Sequence, residues 1–310
     1  FLPGRVDAVH RVLVLPQVDG LAGQPSGAPP AAELPAFLDA ARAYRYDLAL
    51  QLHGGGARSN PLVAALGARV SAGLRDDGAP PLDRTLPYRY YQPEQARSLE
   101  VASLVGAHPH RHESRVTPTE RDECAAARLL DGVAPPRVAV HVGATDPRRH
   151  WPAERFAAVA RELLADGVGV VAVGAGADVP AAAALAAAVA GVVDLAGRTD
   201  LGVLAAVLRR CGLAVGNDSG PLHLARAVGA ATVGLYWCGN AINAAPDTRL
   251  RHRPLLSWRV HSPVCGVDCT PAGHPHRPGE GCAHRASFLD QIPVVEVLDE
   301  VRSLLTPGGT

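Results

Sequence analysis

The chain of 310 residues contains no lysine and no methionine. Its 30 basic residues are therefore all arginine, so every role that needs a cation falls to a guanidinium, permanently charged and shaped to grip oxyanions with two prongs. Excess charge of either sign is also missing. With 30 acidic residues the formal net charge is zero, which leaves no electrostatic footprint for nucleic acid or an anionic membrane. No apolar run reaches the roughly 18 residues a membrane-crossing helix needs, and no basic-then-apolar leader opens the chain. The expected location is the cytoplasm, with no membrane span; peripheral contact with a membrane remains compatible. Cysteine is sparse, at positions 124, 211, 238, 265, 269 and 282; the first three fall in expected core elements and read as small buried apolar residues.

What is present is globular text, 47% hydrophobic and 19% charged, long enough for two α/β domains. The first half reads as a strand at Arg11–Leu15, a helix from about Glu33 to Tyr44, a strand from Asp47 to Leu52, a helix capped by Ser59 or Asn60, and a strand from Arg69. Helices follow from about Glu94 and, behind the cap Thr119, from Glu120 to Leu130. Gly132–Pro136 reads as a linker. The second half alternates strands (138–142, 169–173, 192–195, 213–215, 232–236) with helices of about 10–15 residues, the pattern of βαβ units and a parallel sheet. Ligands of such sheets bind beyond the C-terminal strand ends.

Two strand-to-helix turns in this half carry chemistry. Gly216-Asn-Asp-Ser-Gly-Pro-Leu-His-Leu-Ala225 aims the N-terminus of a helix, with its partial positive charge, at the sheet end. Gly220 would let a pyrophosphate approach closely, and Asp218 suits sugar hydroxyls. His223 lies one turn inside the helix. The plainer reading is that Asp218 and Ser219 only cap that helix. Val140-His-Val-Gly-Ala-Thr-Asp-Pro-Arg-Arg-His-Trp-Pro152 sets Thr145, Arg148 and Arg149 on the second turn, where arginine can hold phosphate bidentately; alternatively the arginines form a solvated pair beside a Trp151 staple.

Taken together, these two motifs resemble glycosyltransferase family 9, the ADP-heptose:lipopolysaccharide heptosyltransferases. The resemblance is strongest over about 138–236 and looser over the Asp47–Gly73 stretch. It implies a GT-B fold, two facing Rossmann-like domains with parallel sheets: residues 1–133 as the acceptor-side domain, 137–292 as the nucleotide-sugar-binding domain, and 293–310 as a helix packing back across both. It implies inverting, metal-independent transfer from a nucleotide-diphosphate sugar, with ADP favoured, to a saccharide or small-molecule acceptor, and no required cofactor. Thr145 would contact the diphosphate, with Arg148 beside it. Arg149 stands where the family usually has lysine and would neutralise the leaving group. Asp218 would bind the donor sugar, Ser219 and Gly220 would cradle the diphosphate, His223 matches the motif histidine, and Asp178 falls near an acidic ribose contact.

The family's catalytic base, an Asp in a Leu-Gly-Asp type motif after the first strand, has no counterpart here. Without Met, and with a first half short of strands, the chain is expected to begin inside its first domain, the base lying on a preceding segment. Within the sequence at hand the substitute is His53, at the end of a strand beside Gly54-Gly-Gly56, a side-chain type suited to general-base work; lining a cleft or packing in a glycine turn is its other reading. Cys265, Cys269 and Cys282, among several histidines, are spaced for a weak zinc site, a disulfide or free thiols. A nucleotide-sugar epimerase or a non-catalytic nucleotide-sugar-binding protein are the alternatives to a transferase.

Overall fold

A computed structural model describes residues 1–18, 21, 32–108, 113–269 and 284–306. Its contacts divide into two compact units: a middle unit, Arg11–His112, and a C-terminal unit made of Phe1–His10 with Glu113–Thr310.

The middle unit runs α1 (Leu34–Arg42), β1 (Leu48–Gln51), α2 (Ser59–Ala65), β2 (Val70–Arg75), β3 (Arg84–Pro87) and α3 (Glu94–Ser103). Its three strands pair in parallel in the order β1-β2-β3. The strand expected at 11–15 does not form: residues 11–18 have no regular structure, and Val12, Leu13 and Val14 are exposed. Apolar content alone cannot make a strand, because a strand also needs a neighbour for its backbone hydrogen bonds. Conversely, β3 arises within a Pro- and Tyr-rich stretch, where Asp83 accepts hydrogen bonds from the Ser71 N–H and hydroxyl at 2.7 Å each and so ties its start to β2.

The C-terminal unit runs α4 (Glu120–Leu129), β4 (Arg137–His141), α5 (Ala153–Ala165), β5 (Gly169–Ala172), α6 (Val179–Ala188), β6 (Val193–Asp194), α7 (Leu201–Cys211), β7 (Gly212–Asn217), α8 (Gly220–Ala227), β8 (Ala231–Trp237), α9 (Cys238–Ala244), β9 (His252–Ser257) and α10 (Val294–Leu305). Helix starts follow local chemistry. Thr119 and Asp122 form a reciprocal capping box on α4, Asp200 caps α7, and α6 and α8 carry proline in their first turn. Gly212 ends α7 in the left-handed conformation, at φ 76°.

The six strands are all parallel, in the order β6-β5-β4-β7-β8-β9. Helices cover both faces. Val138 and Val140 of β4 join Phe156, Leu163 and Val297 in one core, while Ala139 joins Ala126, Leu204 and Leu208 in another. This is a doubly wound sheet, and its order reverses between β4 and β7. At such a point adjacent βα turns diverge to opposite faces and leave a crevice at the C-terminal strand ends.

Residues 113–133, grouped from sequence with the first domain, go with the C-terminal unit, because α4 packs on α7. So do residues 1–10: Arg5 grips Asp122 through two bonds of 2.7 and 2.8 Å, and its carbonyl accepts from the Thr117 N–H at 2.9 Å. Helix α10 lies against α5, β7 and β8 of this same unit.

Candidate nucleotide-diphosphate site

The two turns singled out in the sequence follow β4 and β7, the strands flanking the switch point. Asn217, at the end of β7, holds them together. Fully buried, it accepts from the Trp151 N–H at 3.0 Å and donates to the carbonyls of Val142 and Gly143 at 3.0 and 3.2 Å. One side chain thereby satisfies backbone groups of the neighbouring turn that would otherwise be stranded in the interior. Trp151 is anchored beneath it, its indole N–H donating to Ile292 O at 3.0 Å and its ring edge-on to Phe156 at 4.9 Å.

On this clamp sit the charged groups. Arg149 ends a short 3-10 turn, Pro147–Arg149, and its guanidinium reaches Asp218 Oδ2 at 3.2 Å. The other Asp218 oxygen meets His223 Nε2 at 3.1 Å. Asp218 is almost wholly buried while Arg149 and His223 remain partly exposed, so a buried carboxylate aligns two cationic or polar groups at the crevice. Tyr236 lies behind it, its ionisation pushed up first by burial and then by the Asp218 charge.

Ser219 occupies the N-cap position of α8 but makes no capping bond. Its hydroxyl turns inward to His141 Nδ1 and to Asn217 O, each at 2.9 Å. The Ser219 carbonyl takes the N–H groups of Leu222 and His223, and Pro221 has none. Gly220 opens α8, where the leading N–H groups of a helix have no partner within it, and a Cβ at Gly220 would meet no atom within 4 Å. An oxyanion can therefore approach the backbone closely here, toward the positive end of α8.

The remaining expected residues divide. Thr145 is exposed at the tip of the first turn. Arg148 folds back onto Asp146, Nη2 to Oδ2 at 2.6 Å, and the pair braces the turn. Burial alone would raise the Asp146 carboxyl, but its bonds from Arg148 more than offset that and leave its pKa lowered. Asp178 is turned to His141, Oδ2 to Nε2 at 3.2 Å. His53 belongs to the middle unit, where its ring is exposed and its carbonyl accepts from Gln51 at 2.6 Å and Ser59 at 3.0 Å. Of the cysteine cluster, Cys282 lies outside the described residues; Cys265 is exposed and Cys269 buried, and no group of metal-ligating side chains occurs among the described residues.

Asn217 and His141 were not singled out by sequence reasoning. Both sit inside the quoted motifs, and the available signal was a polar residue at the end of an otherwise apolar buried strand, where burial demands hydrogen-bond partners.

Comparison with known proteins bears on this arrangement. The sequence pattern of glycosyltransferase family 9 (heptosyltransferase) matches residues 36–249, across both units and both turns. The chain belongs to glycosyltransferase family 9. Lipopolysaccharide heptosyltransferase 2 of Salmonella typhimurium is 31% identical to it over 170 residues, 53% of this chain and 44% of that protein. The chain thus spans less than half the length of this relative. Among solved structures, the family 9 glycosyl transferase of Veillonella parvula superposes with a TM-score of 0.71 at 22% identity, covering 87% of this chain and 78% of that one. The E. coli ADP-heptose lps heptosyltransferase II gives 0.65 at 21% identity, covering 87% and 80%. The E. coli heptosyltransferase WaaC with ADP gives 0.56 at 22% identity, covering 73% and 71%. These likenesses establish the shared GT-B fold of the family. No helix among the described residues is long and apolar enough to cross a membrane.

Proposed function

We propose that this family 9 protein transfers a sugar from a nucleotide-diphosphate donor to a hydroxyl acceptor, with inversion and without a metal ion. The observation that carries the reading is the convergence at one switch point of the α8 N-terminus, the Gly220 N–H and the Arg149–Asp218–His223 cluster. The first two suit a diphosphate, and Arg149 is placed to neutralise charge that grows on it as the glycosidic bond breaks. Asp218, acceptor-only when ionised, suits sugar hydroxyls while it orients Arg149 and His223. Thr145 and Ser219 flank the same crevice. ADP is the favoured nucleotide, by likeness to the E. coli ADP-heptose lps heptosyltransferase II and to the heptosyltransferase WaaC solved with ADP. A heptose-like sugar and a saccharide acceptor follow the same likeness. Within these 310 residues, His53 is the candidate for the general base that an attacking hydroxyl needs.

Acceptor-dependent release of nucleoside diphosphate tests the reading. A transferase releases it only when an acceptor is supplied, an epimerase converts its donor without release, and a binding protein does neither. Arg149→Ala should lower turnover by about 10²–10³-fold, the loss typical of an electrostatic catalytic group; unchanged turnover would remove Arg149 from the site.

A further inference from the structure

Beside the crevice runs a chain of three side chains, Asp178–His141–Ser219, in which His141 is buried and the two ends are partly exposed. Its three contacts are Asp178 Oδ2 to His141 Nε2 at 3.2 Å, His141 Nδ1 to Ser219 Oγ at 2.9 Å, and Ser219 Oγ to Asn217 O at 2.9 Å. The arrangement is built in by glycine. A Cβ at Gly143 would lie 2.5 Å from Asp178 Cγ, one at Gly174 would lie 2.7 Å from Asp178 Cβ, and one at Gly216 would lie 2.9 Å from His141 O. Three backbone positions are kept bare so that this carboxylate and this imidazole can meet.

Counting hydrogens decides what the chain can do. A carboxylate and a carbonyl only accept. The first contact therefore needs a hydrogen on Nε2, and the third needs the hydroxyl hydrogen on the Asn217 side. The second contact can be made in two ways: a neutral ring accepts the hydroxyl hydrogen at Nδ1, or a protonated ring donates from Nδ1 and leaves that hydrogen to the Asn217 side. With a neutral ring donating from Nε2, either Nδ1 and Oγ or Oγ and the carbonyl face each other lone pair to lone pair at 2.9 Å. If the neutral ring captures the hydroxyl hydrogen, Ser219 offers only lone pairs to the crevice and repels an anion. A protonated ring donates to Oγ and releases the hydroxyl hydrogen, which rests on the Asn217 carbonyl until an anion in the crevice draws it outward.

We propose that His141 is a positioning residue that takes up a proton as a diphosphate docks at the start of α8, converting Ser219 from an acceptor into a donor toward that anion. This rests on the proposed diphosphate site. The groups facing His141 allow it. Burial, its largest influence, lowers the His141 pKa, Asp178 partly restores it, and the neighbouring His150 lowers it slightly; Asp218 is engaged with Arg149 and His223. The free protein therefore favours the neutral ring, and an arriving anion supplies the charge that favours the protonated one.

Titration calorimetry with ADP-glucose, whose esterified diphosphate has no group titrating near neutrality, reads this directly. Run at about pH 6, 7 and 8 in buffers of different ionisation enthalpy, it counts protons taken up per ligand bound. The wild type should take up a fraction of a proton, and its affinity should fall as pH rises, by at most about tenfold per unit. In His141→Gln both effects should vanish. Ser219→Ala, which removes one hydroxyl and leaves the fold intact, should also lose the uptake, and keeps the test decisive if the His141 variant does not fold. Wild-type binding with no proton uptake, or equal uptake in both variants, would overturn the inference while leaving the diphosphate site standing. No binding at any pH would overturn both.

Discussion

Two parallel strands, β1 in the middle unit and β4 in the C-terminal unit, make the sharpest contrast in the molecule. From Val138 to His141 every residue of β4 is buried, because helices lie on both faces and strands on both edges. In β1 burial alternates: Ala49 and Gln51 are buried, but Leu48 and Leu50 are exposed, as is the following Leu52. The two strands read alike as apolar runs. An apolar run states what a segment would gain from burial, whereas the neighbouring elements decide whether it collects that gain. The polar content differs as well. At the end of β4 and β7, buried His141 and Asn217 are bonded into the crevice wall. At the end of β1, Gln51 serves its own turn, donating to His53 O and accepting from the Leu74 N–H at 3.1 Å.

Substitutions can break this contrast in graded steps. All three tryptophans, at 151, 237 and 258, lie in the C-terminal unit, so tryptophan fluorescence during urea unfolding reports on that unit alone. The largest effect is expected from Leu213→Ala in β7, whose side chain is 2% exposed; it should cost about 2–5 kcal/mol in the fluorescence transition. Asn217→Ala follows, at roughly 2–3 kcal/mol for the buried backbone groups it strands, with loss of nucleotide binding as the turns separate. An unfolding midpoint within error of wild type would show that Asn217 is not the clamp.

Next comes pH. Bonds from Arg5 and, secondarily, from Thr119 outweigh burial and hold the Asp122 carboxyl at about 2, below its ordinary 3.8. Because the folded-state value is depressed, the stabilisation is complete above about pH 4 and is lost as pH falls toward 2, amounting to about 2 kcal/mol. Urea midpoints across that window should fall less steeply with acid in Arg5→Gln than in the wild type. Equal slopes would remove the ion pair from the ledger. The smallest effect belongs to Leu50→Ala, 38% exposed, at less than about 1 kcal/mol by circular dichroism and with no shift in the tryptophan signal.

Much of the C-terminal unit was legible because each βα step repeats one pattern, an apolar strand, a glycine or polar turn, and a helix opened by proline or an acidic cap. Both strand-to-helix turns and the clustering of Arg149, Asp218, Ser219, Gly220 and His223 follow from that regularity. Strand β9 and helix α9 were not legible. His252–Ser257 carries arginine and proline, and it becomes a strand by pairing along its whole length with β8; Cys238–Ala244 is a short helix without a capping side chain. The inward turn of Asp178 was hidden too, since it depends on bare backbone at Gly143 and Gly174, far apart in sequence and together only across the sheet end. Arg148 and Arg149 are adjacent and identical in type, yet Asp146 claims one and Asp218 the other; only the fold distinguishes them.

The account stands or falls on whether a nucleoside diphosphate binds at the β4–β7 switch point by protein groups alone. Calorimetric titration of the 310-residue chain with ADP, with and without EDTA and repeated on Arg149→Ala, measures this. Binding tighter than about millimolar, unaltered by EDTA and weakened by about tenfold or more in the variant, is the predicted result. Absence of binding, binding abolished by EDTA, or equal affinity in Arg149→Ala would contradict it.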